Sequence, residues 1–339
     1  MRALILGCAG PELTRAERQF FVETEPFGFI LFQRNCENVE QLRRLTEDLR
    51  DCVGHNAPIL IDQEGGRVQR LKPPLWRKAP PASLFGELYR KDPVRAEQAV
   101  RVNARLIAAE LTACGIDVDC LPLLDVRQND THDAIGDRSF GYDVETVSRL
   151  GRAQAEGLAA GGVGPVMKHI PGHGRARVDS HFDLPRVDIA ADILKEIDFA
   201  AFKALAGLPM AMTGHVVYEA IDPDNAATLS STIIWDVIRT EIGFDGLLMT
   251  DDISMKALGD PLAVSSARSI EAGCDLVLHC NGNETEMREV AEAVPELSGE
   301  ALRRAEATLS FMDRIRREAQ PAPMDELLAS YGELTGTAA

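Results

Sequence analysis

The chain has 339 residues, 45% of them hydrophobic and 26% charged, a globular composition that fits one large domain or two small ones. Its 53 acidic against 36 basic residues give a formal net charge of −17, which repels nucleic acid and anionic membrane surfaces and predicts neither as a partner. Seven cysteines, an odd number without a C-x-x-C pair, predict neither a disulfide framework nor a zinc ribbon, and suit a reducing compartment.

The chain opens on M-R-A-L-I-L-G-C, where a cysteine after a short apolar run invites a lipoprotein reading. That run is far shorter than the roughly 7–15 residues of a signal h-region, so it predicts a buried strand instead. No stretch approaches the roughly 18 apolar residues of a membrane span. The expectation is a soluble, cytoplasmic protein.

Further short apolar runs follow at 28–32, 58–62, 117–122, 164–169, 209–215, 246–251 and 274–279, about eight strands with the first at 3–7. Helical patterns lie between them. Residues 92–111, for example, begin with an Asp cap and a Pro in the first turn and continue at helical spacing. Strand–helix alternation means a parallel sheet, and about eight strands favour a closed α/β (β/α)8 TIM-like barrel in a single domain over an open sheet. Asp62, Lys168 and His169, His215, and Asp251 end different apolar runs, where a barrel gathers its active site on one face. The barrel is expected over residues 1–298, with 299–339 a helical tail packing on it, its charges those of a solvated helix face.

Lys168 to His181 reads K-H-I-P-G-H-G-R-A-R-V-D-S-H. His169 and His173 have helical spacing, but Pro171, Gly172 and Gly174 forbid the helix, so the histidines belong to a strand end and the loop beyond. Three histidines with an aspartate also suggest a metal. Zinc, however, prefers ligands on regular elements, and H-x3-H across Pro-Gly is not the helical H-E-x-x-H arrangement, so no metal is expected.

With D-Q-E-G-G-R-V-Q-R (62–70), G-D-R-S-F-G (136–141) and T-D-D-I-S-M (250–255) in order along the chain, the histidine segment resembles glycoside hydrolase family three. The resemblance is narrowest to short, single-domain bacterial β-N-acetylglucosaminidases of peptidoglycan recycling. It implies a retaining hydrolase of terminal, non-reducing β-linked N-acetylglucosamine, acting on small amino-sugar glycosides such as N-acetylglucosaminyl-anhydromuramyl peptides, with no cofactor. It assigns the nucleophile to Asp251, the acid/base to His181 with Asp179 as its partner, and sugar contacts to Asp62, Arg70, Arg138, Lys168 and His169.

On sequence alone Asp252 rivals Asp251, although period two aims it the other way, and either could cap the next helix. Glu64 with Gly65 and Gly66 is read as a turn, and His173 as bonding backbone to shape its loop. Asp125 is read as either a cap or a sugar contact. Two other functions fit the same residues: phosphorolysis, since a histidine acid/base repels an incoming anion less than a carboxylate would, and a sugar-binding barrel without turnover.

Overall fold

The structure is a computed structural model that describes residues 1–178 and 184–336. Eight parallel strands close into a barrel: β1 (Arg2–Gly7), β2 (Pro26–Leu31), β3 (Ile59–Ile61), β4 (Val118–Asp119), β5 (Gly164–Ile170), β6 (Met210–Thr213), β7 (Leu247–Asp252) and β8 (Leu276–His279). Each strand pairs with its neighbours in sequence, and β1 pairs with β8 to close the ring. All eight expected runs are strands of this barrel. A separate parallel pair, Arg186–Val187 with Val217–Tyr218, was too short to read from the sequence.

Local rules explain the helices that frame the site. Asp92 caps α4 (Pro93–Ala113) by accepting from the Arg95 N–H, with Pro93 in the first turn. Asp143 caps α5 (Val144–Ala160) through the Thr146 N–H. The two helices pack closely because Gly157 has no side chain; a Cβ there would lie 2.5 Å from the Arg101 carbonyl oxygen. On the loop before them, α3 (Ala82–Tyr89) lies against Phe140.

The tail is two helices, α10 (Gly299–Glu318) and α11 (Met324–Thr335). Met312 and Ile315 of α10 are buried in the barrel's core cluster, and Arg316 reaches Asp117 at 2.9 Å. Thus α10 underlies the end of the barrel at which the strands begin. Among the described residues no helix is long and apolar enough to cross a membrane.

Candidate active site

At the C-terminal ends of the strands lies a cavity of about 260 Å³ whose lining includes Asp62, Glu64, Arg138, Lys168, His169 and Asp251, the face on which barrels carry their chemistry. A roomier crevice of about 500 Å³ opens beside Arg50, Asp117 and Arg316 at the opposite end. There both arginines are already paired with Asp117, at 3.1 and 2.9 Å, so that crevice reads as structural.

In the catalytic-face cavity, charges form a chain. Arg70 Nη2 donates to Asp62 Oδ2 at 3.0 Å, and Lys168 Nζ donates to Asp62 Oδ1 at 2.7 Å. Lys168 also lies 2.6 Å from Glu64 Oε1. Arg138 grips Glu64 with both Nε and Nη2, each at 2.8 Å, the bidentate geometry that makes arginine–carboxylate pairs strong. Burial alone would raise the Asp62 pKa, but Lys168 and Arg70 outweigh it and hold the carboxyl well below its usual range. Burial acts likewise on Glu64, and Arg138 and Lys168 bring it down to about 2. Lys168 is buried, which disfavours its charge, yet Asp62 and Glu64 keep it protonated far above neutrality.

Asp251 closes β7. Burial pushes its pKa up, and the opposing fields of His169 and His215 bring it below the ordinary value, so it is an anion at neutral pH. Its Oδ1 accepts from the Asp252 N–H at 2.8 Å, and it accepts no side-chain hydrogen bond among the described residues. Asp252 lines the same cavity, but its carboxylate is engaged by its neighbours. Its Oδ1 accepts from the Ser254 hydroxyl at 2.9 Å and from the Cys280 N–H at 3.3 Å.

Asp125 is neither a helix cap nor a free sugar ligand. Fully buried, it accepts from His169 Nδ1 at 2.7 Å and from the His173 N–H at 2.6 Å, which leaves the His169 Nε2 edge for the cavity. His173 also departs from expectation, because its backbone N–H shapes the loop while its ring Nδ1 has no partner among the described residues. Burial and the neighbouring His169 bring its pKa down to about 4, a neutral imidazole. His215 spans Thr228 Oγ1 at 2.8 Å and the Asp252 carbonyl at 3.1 Å. The carbonyl can only accept, so Nε2 carries the proton.

The turn after β3 is made by Gly65 and Gly66, at φ of 95° and 58°. Glu64 does more than the turn that sequence reading gave it, since its side chain ties Arg138 to Lys168. Asp62, Arg70, Arg138, Lys168, His169 and Asp251 all line the one cavity. Asp179 and His181 lie outside the described residues. Among the described residues no group of three His, Cys, Asp or Glu side chains could hold a metal ion.

A parallel eight-stranded barrel whose anionic strand-end aspartate, free of side-chain hydrogen bonds among the described residues, shares one cavity with charged hydrogen-bonding groups is a framework suited to glycoside hydrolysis. The model of the glycosyl hydrolase family 3 N-terminal domain matches residues 10–312. A β-hexosaminidase of Alkalilimnicola ehrlichii is 40% identical over 285 residues, covering 83% of this chain and 81% of the relative. One from Xanthomonas campestris pv. campestris is 35% identical over 342 residues, covering 98% and 99%. Among solved structures, NagZ from Neisseria gonorrhoeae in complex with N-trifluoroacetyl-D-glucosamine superposes with a TM-score of 0.87 at 31% identity, covering 98% of each chain. The chain belongs to glycosyl hydrolase family 3.

Proposed function

We propose that this glycoside hydrolase is a β-N-acetylhexosaminidase that removes terminal, non-reducing β-linked N-acetylglucosamine with retention, and that its substrates are N-acetylglucosaminyl-anhydromuramyl peptides of cell-wall recycling in the cytoplasm. The observation that carries the reading is Asp251: an anion at a strand end, unclaimed by side chains of the described residues, beside a donor cage. The activity rests further on relatives that carry the name β-hexosaminidase.

In the first step an Asp251 oxygen bonds to the anomeric carbon as the glycosidic bond breaks, and His181 gives its proton to the departing oxygen. In the second, His181 takes a proton from water while that water displaces Asp251. Asp179, two residues from His181 in sequence, supports the imidazolium. Asp62 accepts from sugar hydroxyls, and Arg70, Arg138, Lys168 and His169 donate to them.

The test is covalent trapping with a fluorinated N-acetylglucosaminide bearing a good leaving group. The adduct is expected on Asp251 by peptide mapping, with Asp251→Asn unlabelled and slowed by several orders of magnitude. Label on Asp252 would sink the assignment. For the substrate, N-acetylglucosaminyl-anhydromuramyl peptides should outcompete simple N-acetylglucosaminides; equal kcat/KM would remove the cell-wall assignment.

A further inference from the structure

Glu64 sits two residues after Asp62 with its side chain only 5% exposed, and each carboxylate oxygen is engaged. Oε1 accepts from Arg138 Nη2 and pairs with the Lys168 ammonium, and Oε2 accepts from Arg138 Nε. The turn does not need that side chain. Gly65 and Gly66 supply the positive φ values, and the Glu64 backbone N–H donates to the Val68 carbonyl at 2.9 Å, whatever the side chain.

Counting donors shows what the carboxylate does. An ammonium has three N–H groups and a guanidinium five. Lys168 commits one to Asp62 and is held by its ion pair 2.6 Å from Glu64. Arg138 commits two to Glu64 and one, from Nη1, to the Ala134 carbonyl at 2.9 Å, leaving two. Glu64 therefore fixes the direction of the donors that remain. It also completes the charge balance of the cavity, where Arg67, Arg70, Arg138 and Lys168 stand with Asp62, Glu64, Asp251 and Asp252.

We infer that Glu64 is a positioning residue for sugar binding: it aims Lys168 and Arg138 at the substrate's hydroxyls. It also makes the cavity neutral, so that a hydroxyl-rich neutral sugar is preferred to a small anion. Without it, one cation is in excess, and Lys168 and Arg138, no longer neutralised by the carboxylate they share, become an anion site. The inference rests on the cavity being the sugar site proposed above.

The experiment compares wild type, Glu64→Gln and Glu64→Asp by steady-state kinetics on an aryl N-acetylglucosaminide and by calorimetric titration with sodium sulfate at constant ionic strength. Glu64→Gln is expected to raise KM at least tenfold, with a smaller loss in kcat, and to bind sulfate at least tenfold more tightly than wild type, in competition with N-acetylglucosamine. Glu64→Asp keeps the charge but loses the two-pronged reach, so KM should rise while sulfate binding stays at the wild-type level. Wild-type KM in both variants, or unchanged sulfate binding in Glu64→Gln, overturns the inference. Because sulfate binding is read without turnover, a wild type inactive on the glycoside but a Glu64→Gln variant that gains sulfate would count against the proposed reaction and not against the role of Glu64. Should Glu64→Gln fail to fold, Glu64→Asp still decides: an unchanged KM there overturns the positioning role.

Discussion

Asp62, on the cavity wall, and Asp119, sealed inside the barrel, are both aspartates at strand ends, and their surroundings drive them in opposite directions. Asp62 has Lys168 and Arg70 in direct contact and stays ionised. Asp119 accepts one backbone N–H, from Gln63 at 3.0 Å, and its Oδ2 has no partner among the described residues. Burial raises its pKa to about 8 against the weaker pull of that N–H and of Lys168, and Asp62 and Glu64 add repulsion. At neutral pH it is a carboxylic acid. The folded state thus holds a proton that the unfolded chain releases near pH 4, so this group's stabilisation is full at acid pH and is lost as pH rises toward about 8. Glu64 has the opposite sign, its contribution being present above its ordinary pKa and lost as pH falls toward about 2. Asp119→Asn preserves the acceptor for Gln63 without titrating. Its Tm relative to wild type should therefore climb steadily between pH 5 and 8.5; a constant difference would mean that Asp119 does not titrate in that window. Asp62 could be picked out in the sequence because it ends an apolar run inside a distinctive motif. Glu64 and Asp125 could not be assigned their roles, because those are set by partners 74 and 44 residues away, which no local pattern encodes.

At the scale of elements, the strands were legible because each is an apolar run bounded by turn residues, and the helix after Asp92 because its cap is local. Strand lengths were not. The run at 117–122 suggests six residues, but the regular strand β4 is only Val118–Asp119; beyond it the backbone still bonds to β5, with the Leu121 and Pro122 carbonyls accepting from the Val166 and Lys168 N–H groups and the Leu124 N–H donating to the Lys168 carbonyl. Close approaches between elements are equally silent in sequence. Gly86 lies within α3, where helix propensity alone would make alanine better by roughly 1 kcal/mol. Packing decides the other way, for a Cβ at Gly86 would stand 1.7 Å from the Phe140 carbonyl oxygen, and a backbone atom cannot step aside as a side chain can. Gly86→Ala is thus expected to destabilise by about 1–3 kcal/mol, the usual cost of overpacking. It should also lower kcat/KM, because Phe140 is two residues from Arg138. Gly207, with open space around its Cβ position, is the control, and Gly207→Ala should change stability by no more than about 0.5 kcal/mol. Equal effects at the two sites in denaturant titration would show that the α3–Phe140 contact yields.

For the whole molecule, the question is whether residues 299–339 are an appendage or part of the fold, and the two tail helices give different answers. Helix α10 buries Ala305, Met312 and Ile315 in the barrel's core cluster. Its buried Arg304 bonds Asp275 at 3.0 Å, and Asp245 at 3.1 Å. Fully burying a large apolar side chain is worth about 1.5–3 kcal/mol, and losing Arg304 leaves the buried Asp275 with Arg239 as its one remaining cation among the described residues. Together these losses are comparable to the roughly 5–15 kcal/mol that holds an entire domain. Helix α11 buries only Leu327 among its residues. It adds an edge contact from Tyr331 to Phe85, with ring centroids 6.5 Å apart, and the Arg95 side chain donates to the Leu334 carbonyl at 2.5 Å. Its loss should cost about 2–4 kcal/mol, less than the domain has. A chain ended at residue 298 is accordingly expected to accumulate as insoluble or molten protein without a cooperative thermal transition. One ended at residue 320 should fold with a lower Tm and retain glycosidase activity at low temperature, since α11 lies outside the cavity lining. Circular dichroism melts and aryl-glycoside turnover on the two truncations separate these outcomes. A cooperative melt and full activity from the shorter chain would make α10 an appendage and put the boundary of the folding unit at 298.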